Sequence, residues 1–138
     1  MEIRGKRIAF LGDSITEGVG ASAPEKVFHQ IIREEYGLKE ALNFGVGGTR
    51  IARQYAASED EKWDETFLAR ARKIPKDADA VVVFGGTNDY GHGDAPIGRA
   101  EDRTEETFYG ACHALMEYLS DTFAGKPVIF MTPLHRAD

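Results

Sequence analysis

The sequence of 138 residues predicts an α/β fold in which a parallel β-sheet is flanked by helices. Three observations carry this. Short apolar runs alternate with segments of helical periodicity from one end of the chain to the other, the pattern of βαβ units. The run Ala78 to Phe84 (ADAVVVF) is continuously apolar and rich in β-branched residues, as in a strand buried on both faces. The first three predicted strands run into GDS, GVGG and GGTND, so loops of small and polar residues gather at the carboxyl edge, where open α/β sheets bind ligands.

In order along the chain, Arg7 to Leu11 (RIAFL) reads as a buried strand ending at Gly12. Val27, Phe28, Ile31, Ile32 and Tyr36 recur at helical spacing, with Gly37 as the stop. Ala41 to Phe44 is a second strand, and Thr49 to about Ala57 reads as a helix. The charged segment 59–65 reads as a solvated surface that shapes a pocket, and Phe67 to Arg72 as a short helix. After the strand at 78–84, the segment GGTNDYGHGDAPIG is rich in turn formers and reads as a loop. A further helix is expected to start at Thr104, with acids near its positive end and an apolar face of Phe108, Cys112, Leu115, Leu119 and Phe123. Gly125 stops it, Val128 to Met131 (VIFM) forms the fourth strand, and Pro133 ends that strand. The absence of repeats and linkers makes residues 1–138 a single domain.

Composition narrows the function. Seventeen Lys and Arg against 23 Asp and Glu leave a net charge of −6, which disfavours a nucleic-acid or anionic-membrane surface. A single cysteine, Cys112, allows neither an internal disulfide nor a multi-cysteine zinc site. The first residues lack the pattern of a secretory signal, and no apolar run approaches the roughly 18 residues of a membrane span. The expectation is a soluble cytoplasmic protein.

Three residues at the strand ends can carry chemistry. Ser14 follows a strand and a glycine, where a tight turn presents its hydroxyl above the sheet edge; serine is also a preferred helix cap. Gly48 allows close approach of a ligand to the backbone, so that its N–H can hold a developing oxyanion, or it answers a turn that needs positive φ. Asn88 brings a neutral amide donor that does not titrate, or simply an Asn-Asp turn. Beside them, Asp13, Asp89 and His92 are assigned to the substrate side, Asp89 also as an acceptor that fixes its loop. A nucleotide site is disfavoured because Gly45-x-Gly47-Gly48-Thr49 lacks the GxGxxG spacing.

Together the blocks Gly12-Asp13-Ser14, Asn43-Phe44-Gly45-Val46-Gly47-Gly48 and Gly86-Thr87-Asn88-Asp89 closely resemble the first three conserved blocks of the SGNH, or GDSL, hydrolases. The resemblance runs from Arg7 through the fourth strand. It implies a flavodoxin-like three-layer α/β/α sandwich and hydrolysis of small acyl esters or acetylated sugars without metal or organic cofactor. By position it makes Ser14 the nucleophile and an oxyanion donor, Gly48 the backbone donor and Asn88 the side-chain donor.

That family's last block, Asp-x-x-His after a fifth strand, supplies the general base, and it has no counterpart after the fourth strand here. Asp89-Tyr90-Gly91-His92 matches the pattern literally but belongs to the third block. His29 and His113 fall on predicted helices, whereas His135 follows the fourth strand. The expectation is therefore a chain truncated after the fourth strand and impaired in catalysis, with VIFM an exposed edge open to pairing with a second copy. Two further readings stand beside the esterase: a non-catalytic binding module on the same fold, and a flavodoxin-like nucleotide binder.

Overall fold

The computed structural model describes residues 1–135. Four strands, β1 (Arg7–Gly12), β2 (Glu40–Gly45), β3 (Ala80–Phe84) and β4 (Val128–Met131), form one parallel sheet in the order β2-β1-β3-β4. Among the described residues five α-helices accompany them: α1 (Ser14–Glu17), α2 (Phe28–Tyr36), α3 (Phe67–Ala71), α4 (Thr87–His92) and α5 (Phe108–Thr122). Side chains alternate across a strand, and both faces of β1 are used. Ile8 and Phe10 pack with Phe28 and Ile32 of α2, while Ala9 and Leu11 pack with Phe67, Leu68, Leu115 and Leu119 of α3 and α5. The result is the expected helix–sheet–helix sandwich. Full burial of a side chain such as Phe67 or Leu115 contributes about 1.5–3 kcal/mol. No helix among the described residues is long and apolar enough to cross a membrane.

The four strands fall where the apolar runs place them, and α2 ends on Gly37. Three expectations need correction. Thr49 to Ala57 is not a helix. Its amides are drawn away by carboxylates from a distant segment: Ile51 and Ala52 donate to Asp89, and Tyr55 and Ala56 donate to Asp94. The turn-rich segment after β3 is not all loop, because Gly86, at φ 107°, turns the chain directly into α4. The last helix starts at Phe108 rather than near Thr104, with Thr107 as its cap. The carbonyls of Glu105 and Glu106 accept from Arg53 and Tyr55 instead of from a following helical turn.

Among the described residues, β4 at the sheet's edge pairs with β3 alone. Ile129, Phe130 and Met131 are exposed there, as the sequence predicts for an unpartnered strand.

Candidate active site

β1, β2 and β3 all end on the same edge of the sheet, and their following loops meet there. From β1, the chain passes Gly12 and Asp13 into α1. Asp13 is buried and its carboxylate caps the helix by accepting from the Ile15 N–H at 3.0 Å. Burial pushes its carboxyl above the usual range, against the pull of that bond and of nearby Arg70. The cap makes Ser14 the first residue of α1 and leaves it half-buried at the edge.

From β2, Gly45 passes so close to α1 that a β-carbon there would fall 2.1 Å from the Glu17 backbone nitrogen. Gly47 donates its N–H to the Glu17 carboxylate at 2.7 Å, and a β-carbon on it would lie 3.5 Å from the Ser14 Cβ. The serine turn and the glycine loop are therefore in contact. Gly48 adopts φ +77°, and the indole of Trp63 covers the position its β-carbon would take, 2.4 Å from the indole Cδ1. Neither the Ser14 N–H nor the Gly48 N–H is spent on a backbone acceptor among the described residues.

From β3, α4 brings Asn88, Asp89 and His92. The Asn88 amide donates to the Thr49 carbonyl at 2.9 Å, which seats it beside Gly48. Asp89 accepts from the Ile51 and Ala52 N–H groups, each at 2.9 Å, one on each carboxylate oxygen. Burial raises its carboxyl above the usual range, and those two bonds counter the effect. Asp89 thus clamps the second loop to the third. His92 lies 5.8 Å from Trp63, ring centre to ring centre, and its Nδ1 accepts from Arg50 Nη1 at 2.9 Å. A guanidinium only donates, so Nδ1 is the acceptor and the neutral ring carries its proton on Nε2.

The other histidines are equally constrained by place. His29 is 1% exposed, donates from Nε2 to the Thr16 carbonyl at 2.9 Å and accepts at Nδ1 from Gln30. Burial lowers its pKa, and the bond to Thr16 opposes that. His113 sits on α5 beside Arg103 and Glu117. His135 lines a cavity of about 620 Å³ with Thr87, Tyr90, Ile97, Phe108 and Pro133. Burial pushes the Cys112 thiol up to about 11, so it holds almost no nucleophilic thiolate at neutral pH. No cluster of three His, Cys, Asp or Glu able to hold a metal occurs among the described residues.

Three participants escape sequence reasoning: Arg50, Trp63 and Arg70. A lone tryptophan within a charged segment, and an arginine inside the apolar FLARA stretch, are the signals that could have marked two of them.

Comparison with known proteins shows the family and the fold. The model of the GDSL-like lipase/acylhydrolase family matches residues 10–138. A crystal structure of a Lactobacillus plantarum protein is 33% identical over 99% of this chain, with a TM-score of 0.80. This chain spans 60% of that protein's length. Two structures described as GDSL-like lipases show the same fold. One, from Bacteroides ovatus, is 24% identical over 96% of this chain and 74% of its own, with a TM-score of 0.69. The other, from Bacteroides uniformis, is 21% identical over 96% of this chain and 73% of its own, also with a TM-score of 0.69. No match was found among curated proteins. With three strand-end blocks meeting at one edge and a family match that begins inside β1 and extends past β4, the chain belongs to the GDSL-like lipase/acylhydrolase family.

Proposed function

We propose that this chain carries the nucleophile and oxyanion hole of a serine esterase acting on small acyl esters, acetylated sugars included. The Ser14 Oγ gives up its proton to a general base as it attacks the acyl carbonyl carbon, and the carbonyl π pair moves onto oxygen. The Ser14 N–H, the Gly48 N–H and the free hydrogen of the Asn88 amide hold that oxyanion. Its collapse expels the alcohol, which takes the proton from that base, and water, deprotonated by the same base, then cleaves the acyl-serine. The observation that carries the reading is the pair of backbone N–H groups on Ser14 and Gly48, unspent on any backbone acceptor among the described residues, beside a tethered asparagine amide.

Attack requires an acceptor for the serine proton. His29 and His92 do not serve, since each already uses its one acceptor nitrogen. Hydrolysis of p-nitrophenyl acetate by the wild-type chain and by Ser14→Ala tests the reading. Turnover that Ser14→Ala abolishes supports it, and turnover that survives the substitution refutes it.

The occupied ring nitrogens of His29 and His92 favour one alternative, a binding module that holds an acyl group without cleaving it. Its signature is saturable binding of the ester at the Gly48 amide with no product formed.

A further inference from the structure

Arg70 is 2% exposed, on a helix whose neighbouring positions Phe67, Leu68 and Ala71 are core. Its guanidinium reaches under the strand ends. Nη1 donates to the Gly12 carbonyl at 2.8 Å and also to the Phe44 carbonyl, and Nη2 donates to the Thr49 hydroxyl at 2.7 Å. That hydroxyl donates in turn to the Val46 carbonyl at 2.6 Å, and the Thr49 carbonyl receives the Asn88 amide. The Phe67 ring lies 4.6 Å from the guanidinium carbon.

Among the described residues no carboxylate comes within ion-pair distance of Arg70. Its buried Nε has no hydrogen-bond partner among the described residues. Glu65, Asp13 and Glu17 act on its charge from beyond ion-pair distance and oppose the cost of its burial. Desolvation lowers its pKa to about 10, so it still carries its charge at neutral pH.

We infer that Arg70 is the positioning residue of the oxyanion hole: one fork that fixes the β1, β2 and Asn88 loops in mutual register and places a positive charge beneath the oxyanion. The inference rests on the acyl-transfer reading for its effect on rate, and on geometry alone for its effect on the loops. Two of the three donors lie one or two residues from a group that Arg70 holds, and the third is bonded to Thr49 itself. Ser14 follows Gly12, Gly48 precedes Thr49, and Asn88 bonds to Thr49.

The test uses the chain with Arg70→Lys, which keeps the charge and loses the fork, and Arg70→Met, which loses both. Thr49→Val, which removes one of the three fork bonds together with the hydroxyl's bond to Val46, is the third variant. Two quantities are read: the amide NMR signals of Ser14, Gly48 and Asn88, and the first-order rate constant for labelling of Ser14 by a saturating fluorophosphonate. Arg70→Lys is expected to shift the three signals together and slow labelling by about tenfold or more, with Arg70→Met slower still. Thr49→Val moves both in the same direction by less.

A merely structural role reduces the fraction labelled while the rate constant of the folded fraction stays unchanged, and that result overturns the inference. If the Arg70 variants fail to fold, Thr49→Val decides by the same two readings. A wild-type chain that takes no label sinks the acyl-transfer reading, and the amide signals then decide alone: shared displacement upholds the placement of the loops by Arg70, and undisturbed signals overturn it.

Discussion

The side-chain amide of Asn88 donates to the backbone carbonyl of Thr49 at 2.9 Å, across 39 positions of sequence. This bond joins the loop after β3 to the loop after β2 and uses one of the two amide hydrogens. It also fixes which end of the amide is the nitrogen, because a carbonyl accepts only from a donor.

Asn88→Asp therefore removes a donor twice over, from Thr49 and from the oxyanion. With p-nitrophenyl acetate as substrate, kcat should fall by about 10²–10³-fold, with KM changed much less. A change confined to KM would remove Asn88 from the oxyanion hole.

Gly48 is held by two constraints. Its φ of +77° disfavours any β-carbon, and the Trp63 indole occupies the place where one would go. Left-handed backbone alone costs a non-glycine residue about 1–2 kcal/mol, so urea denaturation of Gly48→Ala should show at least that loss. The Trp63→Ala background should return the part due to the clash, measured as a coupling in a double-mutant cycle. Strict additivity would mean that the indole gives way freely.

Asp89 supplies both oxygens to the Ile51 and Ala52 amides. Asp89→Asn presents an amide nitrogen to one of those N–H groups and should cost about 1–3 kcal/mol. Hydrogen exchange should accelerate first at Ile51 and Ala52. Unchanged protection at both would show that the loop stands without the clamp.

His29 is buried in its neutral form, so its folded pKa lies below the ordinary value of 6.5. The unfolded chain then binds the proton more readily, and stability falls as pH drops from above 6.5 through that lowered value. Urea midpoints of wild type should decline over this window more steeply than those of His29→Gln. Parallel profiles would assign the acid sensitivity elsewhere.

The strands and the three strand-end blocks were legible because a parallel sheet writes itself as continuous apolar runs, and small residues must follow where loops converge. Gly45 and Gly48 stand out in the sequence for the same steric reason that the structure displays: α1 and Trp63 approach their α-carbons. What was hidden depends on distant partners. The segment 49–57 has helical composition, yet Asp89 and Asp94, some forty residues away, take its amides. Trp63 reads as part of a solvated charged stretch until the fold lays it over Gly48. Arg70 reads as an ordinary helical arginine until three strand-end groups close around it. The literal Asp-x-x-His at 89–92 is the opposite case, a pattern whose two ends are occupied by Ile51, Ala52 and Arg50.

The central proposal is that Ser14 is the nucleophile set within a formed oxyanion hole. Intact-mass analysis after exposure to a fluorophosphonate, with Ser14→Ala in parallel, tests it most directly. The account predicts one adduct on the wild-type chain and none on Ser14→Ala. A wild-type chain that stays unmodified, or equal modification of both proteins, would contradict it.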